Sequence, residues 1–428
     1  MNEVNLVWRV IDIVKNHNKW RRLETINLIP SENVMSPLAE YLYLNDMMSR
    51  YAEGTIRNRF YQGAKYIDEL EELTVQLMCK LFNSKHCDIR PVSGTIANLA
   101  TMCALCRDND LVMAIPLSAG AHISHREVGG VKVLRLRIMD LPWRNDEFNV
   151  DIDYAAKLIR EHRPKIVILG GSVYLFPHPV KEIASIVHEV NGYVIHDSAH
   201  VLGLIAGKVF PNPLDQGADI MTTSTHKTFP GPQGGAVLTN SEELFRKIQK
   251  AIFPTFTSNY HQHRYAALAI TSLEMILFGE EYAEQIVKNA KRLAEALYNY
   301  GLKVLAENKG FTTTHQVLID VSNQGGGAKN ALLLEKANII VNKNLLPWDK
   351  DPVNPSGIRI GVQEITRLGM KEHDMEEIAK FISDVILKRK NPEEVKKKVV
   401  EFRREFTEVK YGFDLKSFNL ENAVKLLI

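Results

Sequence analysis

Thr222-Thr223-Ser224-Thr225-His226-Lys227-Thr228, followed after Phe229 by Pro230-Gly231-Pro232-Gln233-Gly234-Gly235, places Lys227 thirty residues downstream of Asp197, which ends the apolar run Tyr193-Val194-Ile195-His196-Asp197. The run reads as a buried strand that delivers an acid at its carboxyl end, and the Ser/Thr-rich segment delivers a lysine. In open α/β sheets that end is where ligands sit. A lysine amine condenses with an aldehyde, and a carboxylate keeps a ring nitrogen protonated so that the ring can draw electrons from a substrate carbanion. The pair therefore predicts a pyridoxal phosphate site. Alone, each half is bland, since a lysine among hydroxyl residues is usually solvated and an aspartate after a strand usually caps a turn. Together they explain each other: a buried carboxylate is costly unless a positive partner faces it. The glycines after the lysine let the backbone pass close to a flat ring.

Outward from this stretch, residues 65–250 alternate helical periodicity with short β-branched runs at 165–169, 192–195, 219–221 and 235–238. That rhythm predicts an α/β fold with a mostly parallel sheet covered on both faces by helices. Before it come an amphipathic helix over 4–14 and an extended segment over 26–30. After it come a long apolar helix over 265–278, then helices near 282–300 and 366–387 flanking strand-like runs at 316–321 and 339–341, which predicts a smaller α+β C-terminal domain. Asn391-Pro392-Glu393-Glu394 reads as a cap, a first-turn proline and acidic first-turn residues starting one more helix. At 428 residues the chain exceeds one ordinary core. The expected division is an N-terminal arm at 1–35, a large cofactor-binding domain at 36–275 and a small domain at 276–428.

Composition excludes several classes. Charges interrupt every apolar stretch before the roughly 20 residues that span a bilayer, and the N-terminus lacks a basic region followed by an apolar core, so a cytoplasmic location is expected. A net charge of +2 gives no reason to expect nucleic acid or a membrane as partner. The basic stretch 388–404 alternates with Glu393, Glu394, Glu401 and with Val395, Val399, Phe402, the pattern of a helix with one solvated face. Of the four cysteines, Cys103 and Cys106 form a Cys-x-x-Cys pair inside an apolar helical run with no second ligand pair. Buried thiols acting as small apolar side chains are expected there, and no metal. His122 and His125, in Gly120-Ala121-His122-Ile123-Ser124-His125, likewise lack a completing carboxylate or cysteine, and one imidazole is better used stacked on a pyridine ring.

A phosphorylated cofactor needs an anion cradle. Arg90-Pro91-Val92-Ser93-Gly94-Thr95-Ile96-Ala97-Asn98 places hydroxyls and a glycine where an apolar helix begins, so free backbone N–H groups and the helix dipole converge. Taken alone, Ser93 or Thr95 would simply cap the helix. Beside the lysine and the aspartate, the segment reads as the phosphate site.

Eight segments in sequence order resemble serine hydroxymethyltransferase: Leu28-Ile29-Pro30-Ser31-Glu32-Asn33, Tyr51-Ala52-Glu53-Gly54, Arg59-Phe60-Tyr61-Gln62-Gly63, Ser93-Gly94-Thr95, His122-Ile123-Ser124-His125, the run from His196 to Leu204, Thr225-His226-Lys227-Thr228 and Ser356-Gly357-Ile358-Arg359-Ile360-Gly361. The resemblance runs from about residue 28 to 369 and implies a fold-type I, aspartate aminotransferase-like enzyme, at least a homodimer with shared active sites. It implies that Lys227 forms the Schiff base, Asp197 pairs with the pyridine nitrogen, His125 stacks on the ring and His200 lies near the phenolic oxygen. Ser93, Gly94, Thr95 and His226 would hold the phosphate. Arg359 and Ser31 would take the substrate carboxylate, and Tyr51, Glu53 and Tyr61 would arrive from the second subunit. Gly171-Ser172-Val173-Tyr174-Leu175-Phe176-Pro177-His178-Pro179 looks like the archaeal-type branch and adds Ser172 to the cofactor contacts; Asn344 matches a position against the pterin.

The implied reaction converts serine and a tetrahydropterin, tetrahydromethanopterin or tetrahydrofolate, reversibly into glycine and the methylene-tetrahydropterin by Cα–Cβ cleavage of the cofactor-bound serine. Physical reasons support the roles: the planar fork of Arg359 matches a carboxylate better than a point-charge lysine, and Glu53 is a suitable proton-transfer group. Two positions depart from the family pattern: Gln233 stands in place of the usual arginine, and Pro254-Thr255-Phe256-Thr257-Ser258-Asn259-Tyr260 in place of a glycine-rich stretch that contacts the phosphate across the subunit boundary. The same cofactor residues would also serve a pterin-independent threonine or allo-threonine aldolase, or a non-catalytic pyridoxal-phosphate-binding protein. The Tyr-Ala-Glu-Gly segment and the joint presence of Lys227, Asp197, Glu53 and Arg359 favour the transferase.

Overall fold

Short, near-continuous apolar runs, buried on both faces, build the middle of the central sheet. In the computed structural model, which describes residues 3–351, 353–416 and 420, it has seven strands: β1 (His86–Asp88), β2 (Leu111–Ala114), β3 (Arg137–Asp140), β4 (Ile166–Gly170), β5 (Tyr193–Asp197), β6 (Ile220–Ser224) and β7 (Gly235–Thr239). They lie in the order β1-β7-β6-β5-β4-β2-β3. Only β7 runs against its neighbours, so the sheet is mostly parallel, as expected. Ile166, Ile168, Ile195 and Ile220 face one side and pack with Ala97 and Ala100 of the helix Gly94–Leu105. Val167, Leu169 and Val194 face the other and pack with Ile183 and Val187 of the helix Val180–Glu189. Both faces are thus covered by apolar side chains.

Register places the acid. Asp197 is the last residue of β5, opposite Gly170 of β4 and Thr222 of β6. Gly170 has φ +92°, and a Cβ there would stand 2.2 Å from the Asp197 carbonyl oxygen, so the turn after β4 requires glycine. Strand β6 runs three residues further into the Ser/Thr-rich segment than the apolar run suggested, to Ser224.

The helices expected over 265–278 and near 282–300 are one helix, Arg264–Asn299. Gly279 does not break it, and its carbonyl oxygen packs so close to Gly207 that a Cβ on Gly207 would lie 2.3 Å away. Mid-helix glycine costs about 1 kcal/mol, which burial of Leu268, Met275, Tyr282, Ile286, Ala290 and Leu293 on the same helix exceeds. A second, antiparallel sheet follows, β8 (Lys303–Val304), β9 (Gln316–Asp320), β10 (Asn342–Asn344) and β11 (Gly357–Gly361), in the order β8-β9-β11-β10. The run at 339–341 does not join it; Ile339–Ile340 instead pairs in parallel with Ile26–Asn27. The helix expected over 366–387 is two, Gln363–Arg367 and Glu372–Ile386, separated by Gly369 at φ +95°.

The N-terminal helix, Glu3–Lys19, is longer than the pattern indicated and has no buried residue; Val4, Trp8 and Ile11 are exposed. Pro392–Arg403 is helical, with Asn391 accepting from the Glu393 N–H at 3.0 Å and with Val395 and Val399 buried. Cys103 and Cys106 are half-buried rather than fully buried, and burial pushes the Cys106 thiol up to about 12. Among the described residues no helix is long and apolar enough to cross a membrane.

One internal ion pair ties the long helix to the chain's C-terminal region. Arg367 and Glu274 meet at 2.7 Å with both side chains fully buried, and the Phe413 N–H donates to the same carboxylate at 3.1 Å. Removing one partner strands a charge in the core. Glu274→Met should cost about 3–5 kcal/mol, read as a lowered midpoint in chemical denaturation, and the double variant Glu274→Met/Arg367→Met should recover most of the loss.

Candidate active site

The site grows from the end of β5. Asp197 is buried; its Oδ2 accepts from His125 Nε2 at 2.9 Å and Asn98 Nδ2 at 2.8 Å, and its Oδ1 accepts from the Ala199 N–H at 3.0 Å. Burial alone would raise the carboxyl, but the hydrogen bond and charge of His125, with His122 and Lys227 behind, hold it well below the ordinary range. A carboxylate only accepts, so His125 carries its proton on Nε2. Asn98 then spends its two amide hydrogens on Asp197 and on Ser124 Oγ, 3.0 Å away, and its Oδ1 accepts from Thr222 Oγ1 at 2.6 Å. The result is a fixed, ionised acid aimed out of the sheet.

Lys227 follows β6 directly. Burial, reinforced by Arg359 and opposed by Asp197, lowers its amine to about 8. Its carbonyl accepts from Asn33 Nδ2 at 2.6 Å, which brings the Ser31 loop against the lysine. His200, buried beyond the end of β5, is lowered well below its usual value, first by burial and then by Lys227 and Arg359. Gln316 fixes which nitrogen holds the remaining proton. Gln316 Oε1 accepts from the Tyr174 N–H at 2.9 Å, which leaves Nε2 to donate to His200 Nδ1 at 2.9 Å. Neutral His200 therefore carries its proton on Nε2.

The expected phosphate cradle lies at the start of the helix Gly94–Leu105. Ser93 caps that helix, its Oγ accepting from the Ile96 N–H at 3.2 Å, and Thr95 is half-buried in the first turn. A Cβ on Gly235 would stand 2.3 Å from the Ser93 carbonyl oxygen, and one on Gly94 would touch the Ser224 backbone at 3.4 Å. Two buried polar atoms in this neighbourhood, Ser224 Oγ and His226 Nδ1, have no hydrogen-bond partner. Orphaned hydrogen-bonding groups beside a helix N-terminus fit a phosphate that would engage them. The residues present thus suit pyridoxal phosphate at both ends of its ring.

Arg359, buried on β11, donates through Nη1 to the Ser172 carbonyl and through Nε to Asn342 Oδ1 at 3.3 Å; burial lowers it to about 10, which leaves it charged at neutral pH. Arg359, Ser172 and Asn344 line one cleft of about 270 Å³, with Gly120 and Ala121 opposite. Pro30 packs on Gly361, where a Cβ would stand 2.5 Å from the Pro30 Cα, so Ser31 sits between the arginine strand and the lysine. Tyr51, Glu53 and Tyr61 stand apart. The two tyrosines are exposed with ring centroids 5.2 Å apart, and Ser258 donates to Glu53 Oε1 at 2.5 Å. Among the described residues, no hydrogen bond, ion pair or ring contact joins these three to the Lys227–Asp197 cluster.

Asn98, Gln316 and Ser224 escaped the sequence reading as site residues. Asn98 had a detectable signal, one helical turn after Gly94 on the same face. Gln316 offered only a polar residue opening a strand, and Ser224 was one hydroxyl among several.

Comparison with known proteins agrees with this geometry. The family model described as Serine hydroxymethyltransferase matches residues 5–382. Curated serine hydroxymethyltransferases are similar along nearly the whole chain: that of Pyrobaculum calidifontis is 60% identical over 94% of each chain, and that of Sulfolobus acidocaldarius 55% identical over 98% of each. Among solved structures, the L-threonine transaldolase from Pseudomonas fluorescens in its internal aldimine state superposes with a TM-score of 0.90 at 30% identity, covering 99% of this chain and 97% of that one. The chain belongs to the serine hydroxymethyltransferase family and is a pyridoxal-phosphate-dependent enzyme that interconverts serine and glycine.

Proposed function

We propose that this transferase works at the cluster around Lys227, with a reduced pterin as one-carbon carrier and with a second copy of the chain completing each site. The observation that carries the reading is the convergence of a fixed ionised acid at the end of β5, a lysine with a lowered pKa in the loop after β6 and a buried arginine in the middle of β11. When bound, pyridoxal phosphate supplies the electron sink for Cα–Cβ cleavage. Asp197 holds the ring nitrogen protonated, His125 covers the ring, and Ser93, Gly94, Thr95, Ser224 and His226 hold the phosphate. His200 donates from Nε2 to the phenolic oxygen, the proton position that Gln316 imposes. Ser172 adds its contact beside Arg359. Arg359 and Ser31 hold the amino-acid carboxylate, which sets the angle of the bond to be broken. The pterin, tetrahydromethanopterin or tetrahydrofolate, enters the cleft bounded by Asn344 and Arg359; side-by-side rates with the two carriers decide between them.

The exposed Tyr51, Glu53 and Tyr61 find use across a homodimer interface. Glu53 handles the proton of the serine hydroxyl, and Tyr51 and Tyr61 reach the partner's cofactor. Mixing inactive Lys227→Ala with inactive Glu53→Gln chains should then regenerate about one quarter of the parental activity, because half the dimers are mixed and each mixed dimer holds one intact site. If both catalytic groups of a site came from one chain, mixing would restore nothing.

Only the neutral amine of Lys227 attacks an aldehyde. Its pKa is lowered, so the fraction of reactive amine grows as pH rises and saturates above about 8. The rate at which apoprotein captures pyridoxal phosphate, followed by absorbance, should climb with pH and level off above about 8. An ordinary lysine would level off only above about 10.4. Lys227→Ala should remove covalent capture and lower turnover by on the order of 10³-fold or more.

A further inference from the structure

Three side chains outside the proposed contacts join the two halves of the substrate site. Gln363, fully buried just beyond β11, donates through Nε2 to the Ile29 carbonyl at 2.8 Å and the Glu32 carbonyl at 2.6 Å, on either side of Ser31. The Gln363 backbone carbonyl accepts from the Tyr282 hydroxyl at 2.8 Å. That hydroxyl accepts in turn from Asn33 Nδ2 at 2.9 Å, the amide that also donates to the Lys227 carbonyl at 2.6 Å. A continuous chain of hydrogen bonds therefore runs from the Ser31 loop through the long helix to Lys227, and it is rooted four residues after Arg359.

The amide of Gln363 is held at a cost. Its Oε1 is buried without a donor, a loss of about 1–3 kcal/mol. An apolar side chain of the same length would fill the space without that penalty, so the two donor bonds across Ser31 are what the position requires. Tyr282 is equally committed: it is fully buried, and burial pushes its phenol up, so at working pH it keeps the proton that it donates.

We infer that Gln363, Tyr282 and Asn33 are positioning residues for the amino-acid carboxylate. They lock the Ser31 loop at a fixed distance from both Arg359 and Lys227, so that substrate binds with its carboxylate and amine in register. The inference rests on the proposed reading of Arg359 and Ser31 as the carboxylate site.

Kinetics of the holoenzyme with L-serine and equilibrium binding of glycine test it in Gln363→Leu, Gln363→Glu and Tyr282→Phe. The KM for serine and the Kd for glycine should rise roughly 10-fold in Gln363→Leu and Tyr282→Phe, with a smaller fall in kcat and unchanged cofactor affinity. Gln363→Glu faces two carbonyls and donates only when protonated, so its glycine affinity should recover as pH falls, relative to the parent. Tyr282→Phe keeps the ring in place and serves if the Gln363 variants fold poorly. Unchanged glycine affinity in Tyr282→Phe overturns the inference, as does a parallel loss of cofactor and substrate binding. Arg359→Lys separates the two readings. If it weakens glycine while the other variants do not, the hydrogen-bonded chain alone is wrong; if it too leaves glycine binding unchanged, the carboxylate reading fails and takes this inference with it.

Discussion

The buried carboxylate of Asp197 is the constraint around which the large sheet is arranged. An ionised acid at the end of a dry strand is tolerated only when its environment is built for it. Here that environment comes from three directions: His125 from one loop, Asn98 from the helix beginning at Gly94, and the Ala199 N–H from the chain beyond β5. The helix that carries Asn98 is the one whose N-terminus lies beside Ser224 and Gly235, so the acid and the proposed phosphate cradle share a single rigid element.

That sharing explains why small residues crowd this edge. Gly170 and Gly235 allow backbones to approach to distances a side chain would forbid, and the approach brings strand ends and helix N-terminus to one spot. The dry faces of the sheet leave no slack in this arrangement, because close-packed interiors transmit displacement instead of absorbing it. The second sheet then brings Arg359 through β11, where it lines a cleft with Ser172 and Asn344 and lies near enough to Lys227 to lower its amine. The proposed carboxylate site on Arg359 therefore draws on the second sheet, while the acid and the lysine come from the first.

Much of this was legible in the chain itself, and the reason is local. Strand runs such as Val167-Ile168-Leu169 are apolar without interruption because both faces of a parallel sheet are covered, and that pattern survives in a single sequence. The lysine and the acid are legible because they sit at the ends of such runs. Hidden features depend on long-range geometry. The helices expected over 265–278 and near 282–300 are one continuous helix, because the whole length buries apolar residues against the core. The run Ile339-Ile340 looks like a strand of the second sheet, yet it pairs with Ile26–Asn27, more than three hundred residues away. Gln316 and Gln363 carry no local signal, since a glutamine declares its role only through the groups it bridges.

The bridging amides also divide the labour of the site in a way that charge alone could not. Lys227, Arg359, Asp197 and the neighbouring histidines lie close enough to influence one another, and burial strengthens every such interaction. A site held together by charges alone would rearrange with each change of protonation. Neutral amides do not titrate. Asn98 holds the acid, Gln316 sets the proton on His200, and Gln363 with Asn33 fixes the loop between lysine and arginine. The protonation states can then change through a catalytic cycle while the frame that positions them stays constant, which is the condition for preorganised electrostatic catalysis.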